Sequence, residues 1–250
     1  MTEVFAFRVG CVNHVGRVRE HNEDSVLARP AIGVWAISDG MGGYGNGDIA
    51  SQAVVKALEG LAPNESASGL LTDFERKIID VNAELRALAR ANARRIIGAT
   101  LVALIIHGGH YACVWCGDSR AYLRRGAALT QLSRDHSEVQ ELIDRGLLSK
   151  EQARTWPGRN IITRALGAAD QAELEIVDGP AGAGDRFLLC SDGLVVHVAD
   201  DEIAAQLAAP DPQEACDNLL KLTLERGATD NVSIIVVDCG SAGSASHPVA

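Results

Sequence analysis

Between residues 99 and 132, four apolar, β-rich runs follow one another with almost no chain to spare: 99–106, 111–116, 121–124 and 127–132. A parallel crossover consumes a dozen or more residues, so strands this close pair antiparallel. His107-Gly108-Gly109-His110 reads as a hairpin loop, and Gly126 carries the meander onward. Further strands are predicted at 3–13, 25–28, 33–38, 173–177, 186–190 and 232–238. Between 48 and 61, apolar residues at 49, 50, 53, 54, 57, 58 and 61 follow a helical period. A second helix is predicted over 70–92, with Phe74, Ile78, Val81, Leu85 and Leu88 as its stripe. Shorter helices follow at 136–145, 149–154, 201–207 and 212–224. The pattern is α+β, with antiparallel sheets covered by helices and no strict βαβ alternation.

Composition narrows the function classes. The chain has 250 residues, 47% hydrophobic and 22% charged, with net charge −10 from 33 acids and 23 bases. An acidic surplus argues against nucleic acid or an anionic membrane as the main partner. No apolar stretch approaches the ~20 residues of a membrane span, and the N-terminus lacks a secretory pattern. The six cysteines lie mostly in apolar runs, as buried thiols do in a reducing compartment, so the expected location is cytoplasmic. Cys113-Val114-Trp115-Cys116 matches C-x-x-C, but on a strand an offset of three points the thiols to opposite faces. They are read as core cysteines.

The chemistry gathers on aspartates at strand ends. Ser38-Asp39-Gly40-Met41 follows one apolar run, and Ser191-Asp192-Gly193-Leu194 follows another. Asp118 comes directly after 111–117, and Asp230 lies just before the last strand. A lone Asp-Gly is ordinary turn chemistry. Four such acids suggest that one end of a sheet sandwich collects carboxylates, which repel unless a cation neutralises them. All-oxygen ligands suit Mg²⁺ or Mn²⁺, and two such ions can activate a water for attack on phosphorus. Arg19 is the candidate guanidinium for phosphate oxygens. A competing reading takes Gly40-Met41-Gly42-Gly43-Tyr44-Gly45 as a dinucleotide-binding G-x-G-x-x-G. The preceding acid would face a pyrophosphate unfavourably, and the following elements build no βαβ unit.

Eight motifs in order carry a resemblance: residues 19–24, Ser38-Asp39-Gly40-Met41-Gly42-Gly43, Gly98-Ala99-Thr100, Gly117-Asp118-Ser119-Arg120, Asp135-His136-Ser137, residues 162–167, residues 189–194 and Thr229-Asp230-Asn231-Val232-Ser233. Over roughly residues 8–238 the chain resembles bacterial metal-dependent Ser/Thr protein phosphatases of the PP2C (PPM) family. The resemblance implies an antiparallel β-sandwich flanked by helix pairs. It implies one phosphatase domain over 1–239 with a flap at about 136–164, and the small-residue stretch 240–250 is expected to be a disordered tail. The resemblance also implies two Mn²⁺ or Mg²⁺ ions, with a third, weaker one in bacterial members. Asp39 would bridge two ions and the Gly40 carbonyl would bind one of them. Asp192 and Asp230 would complete the other ion's shell, and Asp118 with Asp192 would hold the third. Glu23 and Asp24 would serve the metal shell directly or through water, and Arg19 would bind phosphate.

The implied reaction is hydrolysis of phosphoserine and phosphothreonine in proteins, with Arg19, Asp39 and Asp192 as the catalytic set and no covalent phosphoenzyme. The implied partners are phosphorylated proteins and a cognate Ser/Thr kinase. The chain is expected to be a monomer that binds no nucleic acid and does not insert into membranes. Three departures stand out: Met41 where eukaryotic members often carry His, Ala99 in the usual Gly-Thr-Thr, and Trp156 in the flap where relatives often have His. The change at Ala99 is expected to lie away from the metals.

Overall fold

The computed structural model describes residues 5–42, 46–91, 97–153 and 155–241. Its centre is a pair of antiparallel sheets. One contains β1 (Phe5–His14), β11 (Val232–Ser241), β10 (Arg186–Cys190), β7 (Arg120–Arg125) and β8 (Ala128–Gln131), in that spatial order. The other runs β2 (Asp24–Arg29), β3 (Val34–Gly42), β5 (Leu101–His107), β6 (His110–Cys116) and β9 (Glu175–Pro180), and a short β4 (Ile97–Ala99) pairs the far end of β3.

Period-two alternation sorts the core into three layers. Trp35, Ile37, Val102, Leu104 and Trp115 point inward to meet Phe187, Leu189, Ile235 and Val237 of the facing sheet. Their neighbours Val34, Ala36, Leu101, Ala103 and Val114 point the other way. They receive α1 (Gly47–Glu59) and α2 (Ala67–Ala91) through Val54, Leu58, Phe74, Ile78 and Leu85. On the opposite outer face, Leu188, Cys190, Ile234 and Val236 pack against α5 (Asp192–Val195), α6 (Asp200–Gln206) and α7 (Pro212–Glu225). Each fully buried large aliphatic side chain contributes about 1.5–3 kcal/mol of transfer free energy, so these seams fix the layers. Cys113 and Cys116 sit in different layers, as strand geometry requires.

The β5–β6 hairpin turns on Gly108 and Gly109, both at positive φ (59° and 80°), which only glycine adopts without strain. The segment expected to form a flap contains α3 (Glu138–Asp144), started by Ser137 accepting from Gln140 N–H, and α4 (Lys150–Ala153). No helix among the described residues is long and apolar enough to cross a membrane. Gly240 and Ser241, expected in the tail, extend β11 opposite Ala6 and Phe5. Residues 242–250, 92 and 154, which the sequence reading placed in the tail and at two helix ends, lie outside the described residues.

Candidate metal centre

Antiparallel order brings the acid-bearing ends to one pole. β10 ends where β11 begins, with Cys190 opposite Ile234, so Asp192 and Asp230 flank the same edge. β6 ends beside the start of β5, with Cys116 opposite Leu101, which puts Asp118 at the level of the end of β3. Asp24 and Asp39 are direct cross-strand partners on β2 and β3. The structure thus gathers Asp24, Asp39, Asp118, Asp192 and Asp230, with Glu23 and Arg19 on the loop before β2.

Asp39 differs from its sequence reading. The strand does not stop at Ser38: β3 continues to Gly42, and Gly40 pairs with Ala99 of β4. Asp39 therefore sits within a strand and not in a glycine turn. Its backbone is held by Thr100, whose N–H donates to Asp39 O (2.8 Å) and whose Oγ1 accepts Asp39 N–H (3.0 Å). Ala99, expected away from the metals, is opposite Gly40. Residues 43–45 of the glycine-rich stretch lie outside the described residues.

Backbone crossings explain the glycines. A Cβ on Gly40 would fall on the carbonyl oxygen of Gly47, and one on Gly193 would fall on the carbonyl oxygen of Asn231. A Cβ on Gly47 would lie 2.6 Å from both the Glu23 carboxyl carbon and Gly40 O. These three positions let the acid-bearing segments touch. Gly47 N–H donates to Glu23 Oε1 (3.2 Å), and Gly40 N–H donates to Glu23 O (3.0 Å).

Asp24 is buried, and its Oδ2 accepts from Ser191 Oγ (2.8 Å) and Ser233 Oγ (2.7 Å). Asn231 ties the Arg19 loop to the pole: its Oδ1 accepts Glu23 N–H (2.8 Å), and its Nδ2 donates to Val15 O and His21 O. Thr100, Ser191, Ser233 and Asn231 were present in the recognised motifs without an assigned task. Their task is a long-range hydrogen bond, which local spacing does not reveal.

The electrostatics record a cluster of mutually repelling acids. Burial pushes Asp24 up to about 6 and Asp118 up to about 7, and the negative charges of Asp230 and Asp135 respectively add to this. Asp39 is held well above the carboxylate range by desolvation and then by Asp24, Asp192, Asp118 and Asp230. Asp192 is raised in the same way, first by desolvation and then by Asp118, Asp230 and Asp24. A cation at the pole is Arg19, whose Nη2 lies 2.8 Å from Asp230 Oδ2, with both side chains partly exposed. Asp24 Oδ1 and Asp192 Oδ1 are buried with no hydrogen-bond partner among the described residues. Orphaned carboxylate oxygens among mutually repelling acids fit divalent cations. Among the described residues no three His, Cys, Asp or Glu form a ready-made cage. Ions held by few carboxylates, a backbone carbonyl and water suit this spread better than an all-protein cage, as Mg²⁺ prefers.

An α-β-β-α sandwich with an acidic, arginine-bearing pole defines a class of metal-dependent phosphoester hydrolases. The family described as Protein phosphatase 2C matches residues 15–227, and the chain belongs to it. The serine/threonine protein phosphatase PstP of Mycobacterium tuberculosis is 38% identical over 224 residues, covering 89% of this chain and 43% of PstP. This chain therefore spans under half the length of that relative. Among solved structures, PppA, a key regulatory component of T6SS in Pseudomonas aeruginosa, superposes with TM-score 0.87 at 37% identity, covering 93% of this chain and 97% of that one. The catalytic domain of PstP in complex with two manganese ions gives TM-score 0.87 at 36% identity, covering 95% and 100%.

Proposed function

We propose that this chain is a protein phosphatase that hydrolyses phosphoserine and phosphothreonine in proteins. The observation that carries the reading is the convergence of Asp39, Asp118, Asp192 and Asp230 from four separate segments onto one pole beside Arg19. Asp39 and the Gly40 carbonyl, with Asp192 and Asp230, would hold two ions, Mn²⁺ or Mg²⁺. Asp118 with Asp192 would hold a third. When bound, such ions neutralise phosphoryl oxygens and activate a water for in-line attack. The two-manganese PstP domain supports the choice of metal.

The chain's own residues then divide the work. Thr100 fixes the Asp39 backbone from both sides, so its carboxylate stays aimed at the pole. Arg19, partly exposed, presents a guanidinium that binds phosphate oxygens in bidentate fashion and remains charged at every working pH. Glu23 and Asp24 support from behind. Asp24 has one oxygen committed to two serine hydroxyls, and Glu23 accepts the Gly47 amide. No group here is a cysteine nucleophile: Cys113, Cys116 and Cys190 are buried thiols pushed up to about 12. This disfavours a cysteinyl-phosphate intermediate, and the proposed route is direct attack by water.

Phosphorylated proteins and a cognate Ser/Thr kinase are the proposed partners, with the monomer acting in the cytoplasm. Net charge −10 argues against nucleic acid as the main partner. The test is phosphate release from a phosphothreonine peptide by purified protein. Turnover should require Mn²⁺ or Mg²⁺ and stop with chelator. Chelator-resistant turnover, or a trapped phosphorylated enzyme, would overturn the reading.

A further inference from the structure

The flap begins at a residue that no step above uses. His136 is 6% exposed and lies on a short ribbon at the flap's root. Its carbonyl accepts Thr163 N–H (2.8 Å), Ser137 bridges Ile162, and Glu138 N–H donates to Ile161 O (2.9 Å). From this ribbon the residue grips one residue of the acid pole twice. His136 N–H donates to Gly117 O (2.9 Å), and His136 Nδ1 accepts Gly117 N–H (3.0 Å). Gly117 immediately precedes Asp118.

We propose that His136 is a positioning residue that holds the Gly117–Asp118 turn and so couples the root of the flap to the metal pole. The proposal rests on the reading of Asp118 as a weak-ion ligand. Gly117 cannot anchor itself: its φ is +112°, and a Cβ there would lie 2.7 Å from Thr100 Cβ. Its side-chain-free backbone packs against Thr100, the residue that holds Asp39, and Thr100 Oγ1 also meets Ser119 Oγ (2.8 Å). A continuous path therefore runs from flap root through His136, Gly117 and Thr100 to Asp39.

The imidazole is itself fixed on two more sides. Trp115 stacks on it, with ring centroids 6.2 Å apart and planes at 23°. Because Nδ1 accepts an amide proton, the neutral ring carries its hydrogen on Nε2, which faces Glu175 Oε1 at 3.2 Å. Glu175 is held in turn by Arg164, the last flap residue (2.8 Å), and Arg164 also pairs with Glu173. Burial and Arg164 keep the ring below its ordinary pKa, which agrees with a neutral acceptor. Groups that orient a ligand from behind typically alter metal affinity or activity by about 10–100-fold when removed.

The substitutions that separate positioning from mere packing are His136→Asn, His136→Gln and His136→Phe in the full chain. Asn places Oδ1 where Nδ1 sits and keeps the acceptor for Gly117. Gln reaches only toward the Nε2 position, and Phe keeps the stacking surface alone. Calorimetric titration of the metal-stripped protein with Mn²⁺ should show the weakest site about 10-fold weaker in His136→Gln and His136→Phe. The two tighter sites should be unchanged, and His136→Asn should stay within about 2-fold of wild type. Hydrogen exchange at the Gly117 amide should quicken in Gln and Phe but not in Asn, with thermal unfolding showing all three folded. Wild-type affinity and Gly117 protection in His136→Phe, or loss of both in His136→Asn, would overturn the proposal. If wild type binds no Mn²⁺ at all, the metal reading fails instead, and Gly117 exchange alone decides the role of His136.

Discussion

Ser38-Asp39-Gly40 and Ser191-Asp192-Gly193 are the same three residues in two different local structures. The first lies inside β3, where Asp39 faces Asp24 across the sheet. The second opens α5, with Ser191 as N-cap and Asp192 in the first turn. Ser38 Oγ donates to Thr100 O, whereas Ser191 Oγ donates to the Asp24 carboxylate. What they share is the glycine, and neither glycine has positive φ. Conformational freedom therefore does not explain them. Both are needed because another backbone carbonyl occupies the place of a Cβ. The repeated tripeptide is a device for crossing chains closely beside a carboxylate, whatever the local backbone.

The largest effect should come from the carboxylates. Asp39→Asn is expected to lower phosphopeptide kcat/KM by about 1,000-fold, about 4 kcal/mol of lost assistance, and Asp192→Asn by about 100-fold. The difference reflects the proposed bridge between the two tighter ions against a ligand shared between one of them and the weaker third ion. If Asp39→Asn kept a tenth of wild-type activity, the assignment of the bridge would be wrong.

Next come the glycines. Gly40→Ala and Gly193→Ala should each cost about 3 kcal/mol in urea denaturation, because backbone must move in both. Were Gly193 only an unconstrained helix residue, Ala would instead stabilise by about 1 kcal/mol through propensity. A stabilised Gly193→Ala would break the comparison outright.

The last effect is spread over several acids and is a pH dependence of stability on the order of a few kcal/mol. Asp24 and Asp118 have folded values of about 6 and 7 against 3.8 for the free carboxyl, so the folded state binds more protons. Stability of the metal-free protein should fall as pH rises from about 4 through about 7. His136 and His197, held below the ordinary imidazole value, pull the other way and are fewer than the raised acids. Added Mn²⁺ should flatten the slope by neutralising the pole. A urea midpoint that climbs over this window in chelator would contradict the electrostatic picture.

Much of this was legible in the chain. The apolar runs at 99–106 and 186–190 gave the strands, and the short links between 99 and 132 gave antiparallel pairing. The helical stripes of α1 and α2 gave the outer layer. The extension of β3 through Asp39 to Gly42 was not legible, because Asp-Gly-Met-Gly has turn composition and only pairing with β4 makes it a strand. The partner of Arg19 was hidden as well: Asp230 is far along the chain, and the local sequence reads as an ordinary surface arginine. His136 gave no sign of its grip on Gly117, since both contacts are with backbone.

By itself the sequence determined the elements, the layers they form and the residue types available for phosphate chemistry. Burial period and loop length are local properties, so they can be read without a partner. Only the tertiary structure decided which acids meet, why the glycines are glycines and what steadies each carboxylate. Those depend on segments distant in the chain crossing at one pole, where the position of a single Cβ decides whether they can approach.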